Sequence, residues 1–316
     1  MSGIGHRETR VDLCVCTYRR AQLENTLRSI GALAVPEGAA IRIVVADNDF
    51  TPSAHDLVER LRPQIPFDIL YLHAPASNIS IARNACLDAG EGDFLAFVDD
   101  DETVSPEWLS ELLATADATG AEAVLGPVQA VYREDASRWM RTGDFHSTFP
   151  VWVRGEILTG YTCNVLLRRS SPLVGRRRFN LALGRTGGED TEYFSRLCRE
   201  GGAIAYAPGA LVLEPVPQSR ASFSWLLKRR FRMGQTHGRL LGEDKDVAGL
   251  LLKAGVAATK VGYCLLASAL FAAFPIRRNR AVLRLVMHAG VVSGLFGLSE
   301  ISLYGEGTRE VRGNAG

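Results

Sequence analysis

The first 125 residues alternate between short apolar runs and amphipathic segments, and this alternation restricts the fold more than any other feature. Short apolar runs predict buried strands, and apolar residues three and four positions apart predict helices. The predicted strands are 11–16, 41–46, 69–72, 94–98 and 123–125, and the predicted helices are 21–34, 55–61, 79–90 and 106–120. Strands that alternate with helices form a parallel sheet with helices on both faces. We therefore predict an α/β, Rossmann-like fold with a mostly parallel sheet flanked by helices.

Four acidic residues, from Asp99 to Glu102, directly follow the apolar run 94–98. Neighbouring carboxylates repel one another, so a cluster of them at the end of a strand requires a cation or a basic partner. Because open α/β sheets bind ligands at the carboxyl ends of their strands, this position predicts a divalent cation that also binds substrate phosphates. The alternative is a solvated acidic turn before the next helix, for which Ser105 and Pro106 already predict a cap and a first residue.

Four other polar segments lie at predicted strand ends or helix starts, where this kind of sheet forms its ligand site. They are Thr17-Tyr18-Arg19-Arg20, Asp47-Asn48-Asp49, Asn78 to Asn84, and Gly187-Gly188-Glu189-Asp190. Each segment alone has a simpler explanation, since Asn78 or Glu189 could be only a helix N-cap. Their order along the chain, together with the acidic cluster, predicts one common site.

Composition narrows the choice of partners. The chain has 316 residues, enough for a sizeable core, and a formal net charge of +1. The basic clusters 176–178 and 228–230 lie in no recognisable nucleic-acid module, so we predict no nucleic-acid partner. The six cysteines lack the spacing of a zinc site, and residues 1–10 do not resemble a signal peptide. We therefore expect the catalytic part to be cytosolic.

The C-terminal part of the chain is much more apolar. Residues 254–276 contain one charged residue, Lys260, and residues 285–299 contain none. The first run could span a bilayer, but the basic segment 277–280 would then lie on the far side, against the positive-inside tendency. We predict an apolar helical hairpin that lies in or dips into the cytosolic leaflet. The alternative is a pair of apolar helices packed on the domain.

These observations predict two regions. Residues 1–245 form an α/β domain, with regular alternation of strands and helices at about 10–125 and a less regular part at 126–245. Residues 246–316 form the apolar membrane-associating region and a polar tail.

The motifs resemble those of the family 2 inverting glycosyltransferases, which have the GT-A fold. The resemblance covers about residues 10–235 and rests on Thr17-Tyr18-Arg19, Asp47-Asn48, Asn78 to Asn84, Asp99-Asp100-Asp101 and Glu189-Asp190. Within this family the chain is similar to bacterial succinoglycan-type exopolysaccharide glucosyltransferases. It departs from the Gln-x-x-Arg-Trp motif of processive synthases, because Gln218 and Arg220 are too close together and Trp225 is distant. This departure favours transfer of a single sugar.

The resemblance implies a role for each matching residue of the donor site. It places Asp47 against the uracil ring of a sugar nucleotide, Arg83 against the nucleotide and Asp99 against the ribose. It makes Asp101, together with Asp99, a ligand of Mg²⁺ or Mn²⁺ that bridges the two phosphates. The alternatives are a turn aspartate for Asp47 and a surface ion pair for Arg83. The other implied donor-site residues are Thr17, Tyr18, Arg19, Asn48 and Asp100.

The resemblance also implies that Asp190 is the general base of a single-step inverting transfer. Such a transfer needs a carboxylate that accepts the proton of the acceptor hydroxyl as its oxygen attacks the anomeric carbon. Glu189 is the alternative base, or a residue that orients the acceptor. We expect the positive end of the helix that starts here to lower the pKa of Asp190. If Asp190 were only a helix cap, its loss would affect stability without a selective effect on turnover.

Three further sets of residues have two interpretations each. Arg229, Arg230 and Arg232 could bind the diphosphate, since guanidinium groups suit phosphate oxygens, or an anionic lipid surface. His237 could be a further metal ligand, as in some GT-A enzymes, or a loop residue. Four aromatic residues could form a platform for an acceptor sugar or pack in a core: Trp139, Phe145, Phe149 and Trp152.

The resemblance implies transfer of one hexose, with glucose as the first candidate, from a UDP-sugar to a lipid-diphosphate-linked glycan in surface polysaccharide synthesis. It also implies a nucleotide-binding half at about 10–125 and an acceptor half at 126–245 of the catalytic domain 1–245. We expect the enzyme at the cytoplasmic face of the inner membrane. A sugar nucleotidyltransferase would also place acids on Mg²⁺, but residues 11–20 lack the glycine that a phosphate loop needs. A sugar-nucleotide-binding or scaffolding subunit without turnover is a further alternative.

Overall fold

The strands form three sheets in the computed structural model, which describes residues 8–243 and 246–298. The strands are β1 (Thr9–Thr17), β2 (Ala39–Asp47), β3 (Asp68–His73), β4 (Phe94–Asp99), β5 (Thr103–Val104), β6 (Ala123–Leu125), β7 (Val128–Val131), β8 (Trp152–Val153), β9 (Glu156–Ile157), β10 (Asn164–Arg168), β11 (Ile204–Tyr206) and β12 (Val212–Pro215). The large sheet has the strand order β11-β6-β10-β4-β1-β2-β3. A smaller sheet has the order β5-β12-β7, and β8 pairs with β9 in a hairpin.

The large sheet is mostly parallel, as predicted. The strands β3, β2, β1 and β4 run parallel to one another and β11 runs parallel to β6, whereas β10 is antiparallel to β4 and β6. The apolar runs of the central strands are nearly continuous because both faces are buried, as Leu13 on one face and Cys14 on the other illustrate. The α/β fold is confirmed, and the five predicted strands end within one or two residues of the observed ones.

The helices follow the predicted pattern closely. In the described residues they are α1 (Leu23–Gly31), α2 (His55–Leu61), α3 (Ile79–Ala89), α4 (Trp108–Thr119), α5 (Arg138–Gly143), α6 (Pro172–Gly175), α7 (Glu189–Arg199), α8 (Phe223–Gly242), α9 (Val247–Leu270) and α10 (Pro275–Leu295). A 3₁₀ turn, Arg62–Gln64, follows α2.

The predicted start of α4 is wrong. The helix begins at Trp108 rather than at Pro106, and the Ser105 hydroxyl has no hydrogen-bond partner in the described part of the chain. The backbone N–H of Trp108 donates to the Ser105 carbonyl oxygen at 3.1 Å, so residues 105–107 form a turn that precedes the helix.

The chain divides into two compact units. The first contains the described parts of residues 1–133, 146–184 and 189–216 and carries the large sheet. The second contains residues 134–145 and 185–188 and the described parts of 217–316, including α8, α9 and α10. The predicted boundary at residue 245, between a catalytic domain and a membrane-associating region, stays a prediction.

In the second unit, α8 and α10 pack closely through two pairs of glycines. Gly234 and Gly238 lie one turn apart on α8, and Gly290 and Gly294 lie one turn apart on α10. A Cβ atom on any of the four would overlap a backbone carbonyl oxygen of the facing helix. The absence of side chains here allows the two backbones to approach, as small residues do in other close helix pairs.

We expect Gly234→Ala and Gly290→Ala each to lower the free energy of unfolding by about 1 to 3 kcal/mol, the usual cost of overpacking. Each new methyl group has to push α8 and α10 apart. Urea unfolding followed by circular dichroism measures the loss. Gly262→Ala on α9 is the control, because its Cβ would meet nothing within 4 Å and alanine favours a helix by about 1 kcal/mol. Unchanged stability of Gly290→Ala would contradict the close packing.

The helix α9 exposes most of its apolar surface. Among the described residues it is the one helix long and apolar enough to cross a membrane, and only 11% of its most apolar 18-residue window is buried. Leu252, Leu266 and Leu270 are all exposed. A large exposed apolar surface usually marks contact with a membrane or with another protein, so α9 is consistent with membrane association.

The predicted apolar runs differ from the observed helices in their bounds. The helix α9 starts and ends earlier than the predicted run 254–276, because Pro275 already begins α10. The basic segment 277–280, expected between two helices, lies instead near the start of α10. The predicted second run ends at Ser299, which lies outside the described residues. An apolar helical region near the C-terminus is nevertheless confirmed.

Candidate active site

The strand ends that carry the predicted site lie side by side at one edge of the large sheet. The strand register pairs Thr17 of β1 with Asp47 of β2, and Cys16 of β1 with Asp99 of β4. These three parallel strands therefore end together, as the sequence predicted. The loop after β2 also reaches the start of α3, where the backbone N–H of Asn78 donates to Asn48 Oδ1. Parallel pairing thus gathers segments that are far apart in sequence.

The carboxylate of Asp47 is fully buried and holds the loop after β2 together. It accepts hydrogen bonds from the backbone N–H groups of Asp49 at 3.0 Å and Ala54 at 2.8 Å, and from the Tyr71 hydroxyl at 2.8 Å. This geometry matches the alternative of a turn aspartate. Contact between Asp47 and a uracil ring stays a prediction.

The loop after β1 presents Tyr18 and Arg19 at the surface. Arg19 has a backbone φ of 53°, and its Nε donates to Asp49 Oδ2 at 2.8 Å. This bond is the main reason why the pKa of Asp49 falls to about 2. The Arg19 guanidinium also lies 5.5 Å from the centre of the Tyr18 ring. An exposed ring beside a fixed guanidinium suits a planar base and a phosphate group.

The three aspartates after β4 have different surroundings. The Asp99 side chain is 45% exposed, whereas Asp100 is buried and accepts a hydrogen bond from Thr17 Oγ1 at 2.7 Å. Arg20 lies 3.7 Å from both Asp100 and Asp101. Although the Asp99 side chain is partly exposed, desolvation by the surrounding protein is the largest influence that raises its pKa to about 6. Burial likewise raises the pKa of Asp100 to about 7, and the neighbouring acids add to both shifts. The cluster is therefore short of positive charge.

Glu102 belongs to the predicted acidic cluster, but no individual role was predicted for it from the sequence. It is buried, and its Oε2 accepts a hydrogen bond from the backbone N–H of Asp99 at 2.9 Å. Burial, followed by the charge of Asp99, holds its pKa well above the usual value. One ligand atom each of Asp99, Glu102 and Cys163 lies within 4.8 Å of the others. The carboxylate oxygens here suit a hard divalent cation such as Mg²⁺ or Mn²⁺.

Arg83 of α3 connects the aspartate cluster with the start of α7. Its side chain is only 9% exposed and forms an ion pair with Glu189 Oε1 through Nη1. Its Nη2 lies 3.9 Å from Asp99 Oδ1. The guanidinium also lies 5.6 Å from the centre of the Phe179 ring. The alternative of a surface ion pair is therefore wrong, because the pair is buried, and a contact with the nucleotide stays a prediction.

The helix α7 begins with Glu189 and Asp190, directly after two glycines. Gly187 and Gly188 have backbone φ angles of 84° and 88°, which residues with a Cβ atom rarely adopt. Glu189 is buried, and its Oε2 has no hydrogen-bond partner among the described residues. Asp190 is half-buried, and its Oδ1 accepts a hydrogen bond from the backbone N–H of Thr191 at 2.6 Å. The first two residues of α7 thus carry carboxylates with different hydrogen-bond partners.

The expected lowering of the pKa of Asp190 is wrong in direction. Burial, followed by the negative charge of Glu189, raises this pKa to about 6. The opposing influences of Arg83 and of the hydrogen bonds from Thr191 are smaller. A carboxyl group of pKa about 6 is mostly ionised at neutral pH and is a stronger base than an ordinary aspartate.

We expect kcat/KM for sugar transfer to fall about tenfold per pH unit below about pH 6, because a protonated Asp190 cannot accept a proton. Initial rates of sugar transfer between about pH 5 and pH 8 at constant ionic strength measure this profile. Full recovery of the rate on return to neutral pH separates titration from unfolding. A flat profile through this range would contradict the role of Asp190 as the base.

The remaining predicted residues of the site lie on α8 in the second unit. Arg229 stacks 5.4 Å from the ring centre of a tryptophan on the same helix, and the Arg232 guanidinium lies against the Gly187 backbone. Burial lowers the pKa of Arg230. Burial, with two lysines of α9, also lowers the pKa of His237. Phosphate or lipid binding by the arginines and metal binding by His237 stay predictions.

The four aromatic residues divide between two environments. Trp139 and Phe145 pack against each other in the second unit, with ring centres 5.4 Å apart, which matches the core interpretation. Phe149 and Trp152 lie in the first unit and are exposed. A sugar platform at these two residues stays a prediction.

Sequence comparison finds clear relatives. The family profile "Glycosyl transferase family 2" matches residues 12–172. The chain is 60% identical over 301 residues to the succinoglycan biosynthesis protein ExoM of Rhizobium meliloti (strain 1021). The alignment covers 95% of this chain and 97% of that protein.

Solved structures share the fold at low sequence identity. The mannosyltransferase PcManGT from Pyrobaculum calidifontis, in complex with GDP-Man and Mn2+, has a TM-score of 0.60 at 18% identity. The match covers 92% of this chain and 88% of the PcManGT chain. S. aureus TarS 1–349 in complex with UDP-GlcNAc has a TM-score of 0.53 at 16% identity and covers 92% of each chain. With the profile match and the 60% identity, the chain belongs to glycosyltransferase family 2 and is a glycosyltransferase of the GT-A fold.

Proposed function

We propose that the enzyme transfers one hexose, with glucose as the first candidate, from a UDP-sugar to a lipid-diphosphate-linked oligosaccharide in exopolysaccharide synthesis. The observation that carries this proposal is the position of Arg83, which is ion-paired with the residue before Asp190 and lies 3.9 Å from Asp99. One buried arginine thus lies between an acidic cluster that suits a divalent cation and the carboxylate that precedes the proposed base. The identity of 60% to a succinoglycan biosynthesis protein supports the exopolysaccharide context.

In this proposal Asp190 accepts the proton of the acceptor hydroxyl while the hydroxyl oxygen bonds to the anomeric carbon of the donor. The bond between that carbon and the diphosphate oxygen breaks on the opposite face, so UDP leaves and the configuration inverts. Asp99 and Asp101 would hold the divalent cation. When bound, the cation neutralises negative charge on the leaving diphosphate.

The proposal places the nucleotide at the exposed residues Tyr18 and Arg19 and the acceptor at the start of α7. The relative of known structure that binds UDP-GlcNAc is in line with a UDP-sugar donor. The exposed apolar surface of α9 supports a position at the cytoplasmic face of the inner membrane, where a lipid-linked glycan would be within reach. Residues 1–245 would then be catalytic and residues 246–316 would associate with the membrane.

Release of UDP from a panel of UDP-sugars tests the proposal. Purified full-length protein is incubated with each donor, a membrane lipid extract, and Mg²⁺ or Mn²⁺. We expect release with one preferred donor that depends on both the lipid and the metal, and complete loss of release with EDTA. Binding of UDP without turnover would favour a sugar-nucleotide-binding subunit, and absence of UDP binding would overturn the assignment of the site.

We expect Mn²⁺ to raise the Tm more at about pH 8 than at about pH 5. Folding raises the pKa of Asp99 to about 6 and of Asp100 to about 7, above the unfolded values near 4. The folded protein therefore binds protons more tightly, and the contribution of these groups to stability falls as the pH rises through about 4 to 7. Above this range a cation relieves the repulsion. Differential scanning fluorimetry measures the shift, and Asp99→Asn with Asp101→Asn should abolish it.

A further inference from the structure

We propose that Glu189 binds a second hydroxyl of the acceptor sugar, next to the hydroxyl that Asp190 deprotonates, and that this contact selects the acceptor. The inference rests on the proposed function of the site. It starts from one atom, Glu189 Oε2, which is buried and has no hydrogen-bond partner within residues 8–243 and 246–298.

An unpaired carboxylate oxygen in this position is unfavourable for the folded protein. The Glu189 side chain is only 7% exposed, so bulk water has little access to it. A buried acceptor without a donor costs free energy, and such an atom in a native structure calls for an explanation. A ligand that brings its own donor, such as a sugar hydroxyl, removes this cost on binding.

The other oxygen of Glu189 is already committed. Arg83 Nη1 donates to Oε1, and Arg83 is itself buried between Glu189 and Asp99. This ion pair holds Oε1, whereas Oε2 makes no hydrogen bond to the described residues. Glu189 therefore has one oxygen held by the protein and one oxygen that is left for a ligand.

The position of Glu189 relates this oxygen to the reaction. Glu189 and Asp190 are the first two residues of α7. Arg83 lies within ion-pair distance of both Glu189 and Asp99, so Glu189 is close to the aspartate cluster and also directly precedes Asp190. In the proposal, two neighbouring hydroxyls of one sugar ring reach these two consecutive carboxylates, one hydroxyl at Oε2 of Glu189 and the other at Asp190.

A hydroxyl that donates to an ionised carboxylate forms a strong, charge-assisted hydrogen bond. Sites that hydrogen-bond a substrate hydroxyl discriminate strongly against analogues that lack it, because their own polar group is then left unpaired. Glu189 would therefore reject an acceptor without the second hydroxyl. The contact explains how a general-base site can choose among sugars of similar size.

The substitution Glu189→Gln isolates this contact in the full-length protein. The glutamine oxygen can still accept from Arg83, while the amide nitrogen replaces Oε2 and cannot accept a hydrogen bond. Glu192→Gln is the matched control, since Glu192 lies one turn further along α7 and pairs only with Arg196 in the described structure. Each variant is assayed with the best UDP-sugar of the panel and a membrane lipid extract as the acceptor probe.

We expect Glu189→Gln to lower the efficiency of transfer to lipid about 10- to 100-fold, mainly through a higher KM for the lipid extract. UDP binding and the slow hydrolysis of the donor by water should change less than about twofold, because neither uses the second hydroxyl. Glu192→Gln should behave as wild type. A merely structural role of Glu189 would not change the ratio of transfer to hydrolysis.

Two results would overturn the inference. Equal losses of transfer, hydrolysis and UDP binding would show that Glu189 acts on the donor side through Arg83. Wild-type transfer by Glu189→Gln would show that Oε2 makes no useful contact. Failure of the proposed function is a separate result, because the wild-type protein would then release no UDP from any donor.

Discussion

Asp190→Asn is expected to reduce kcat for sugar transfer about 1000-fold or more while UDP binding stays unchanged. Asparagine has the same shape as aspartate, and its side-chain oxygen can still accept the hydrogen bond from the Thr191 N–H. Asparagine cannot accept a proton from the acceptor hydroxyl, so only the rate of the chemical step should fall. Initial rates of sugar transfer and isothermal titration with UDP and Mg²⁺ measure the two effects separately.

A matched control for this prediction is Asp88→Asn. Asp88 is exposed and forms an ion pair with Arg178 at 2.6 Å, and surface pairs of this kind contribute little to stability. The control makes the same chemical change away from α7 and should leave the rate unchanged. If Asp190→Asn kept more than about a tenth of the wild-type rate, the base would be another residue, with Glu189 as the first candidate.

The strand ends of the site were predictable from sequence because their signals are local. A buried apolar run followed by polar residues marks the end of a strand, and parallel pairing places such ends at one edge. The observed register of β1 with β2 and β4 follows this rule. The start of α3 at Ile79 was also local, since Asn78 caps the helix by accepting from the Ser80 N–H.

The contacts that give the site its chemistry were not predictable in the same way. Arg83 and Glu189 are 106 residues apart, and no local pattern shows that they pair. Glu102 stands directly after three aspartates, yet the sequence does not show that its side chain turns inward and becomes buried. The pKa of Asp190 depends on such contacts, because burial and the neighbouring Glu189 outweigh the influences of Arg83 and Thr191 that lower it.

The packing of α8 on α10 was also not predictable from the sequence. The glycine spacing is visible in the sequence at 234 and 238 and again at 290 and 294. From the sequence, either pair is expected only to destabilise its helix, since glycine disfavours helix formation. Only the three-dimensional structure shows that the pairs face each other and allow the backbones to approach.

Arg83→Met is expected to lower the free energy of unfolding by about 3 to 5 kcal/mol, because it leaves Glu189 buried without its partner. The loss should be smaller in acid. Arg83 lowers the pKa values of Asp99 and Asp190, so its removal raises both further and the folded state binds protons more tightly. Urea unfolding followed by tryptophan fluorescence at about pH 5.5 and about pH 8 measures the difference.

Adding Glu189→Gln to Arg83→Met separates the structural role of the pair from its chemical role. The double variant has no unpaired buried charge at residue 189, so it should be about 1 to 3 kcal/mol more stable than Arg83→Met alone. Its transfer activity should stay low, because both charges beside Asp190 are gone. Strictly additive losses of stability would contradict the ion pair. Recovery of stability without recovery of activity would show that the buried pair is maintained for the reaction and that α3 and α7 can pack without it.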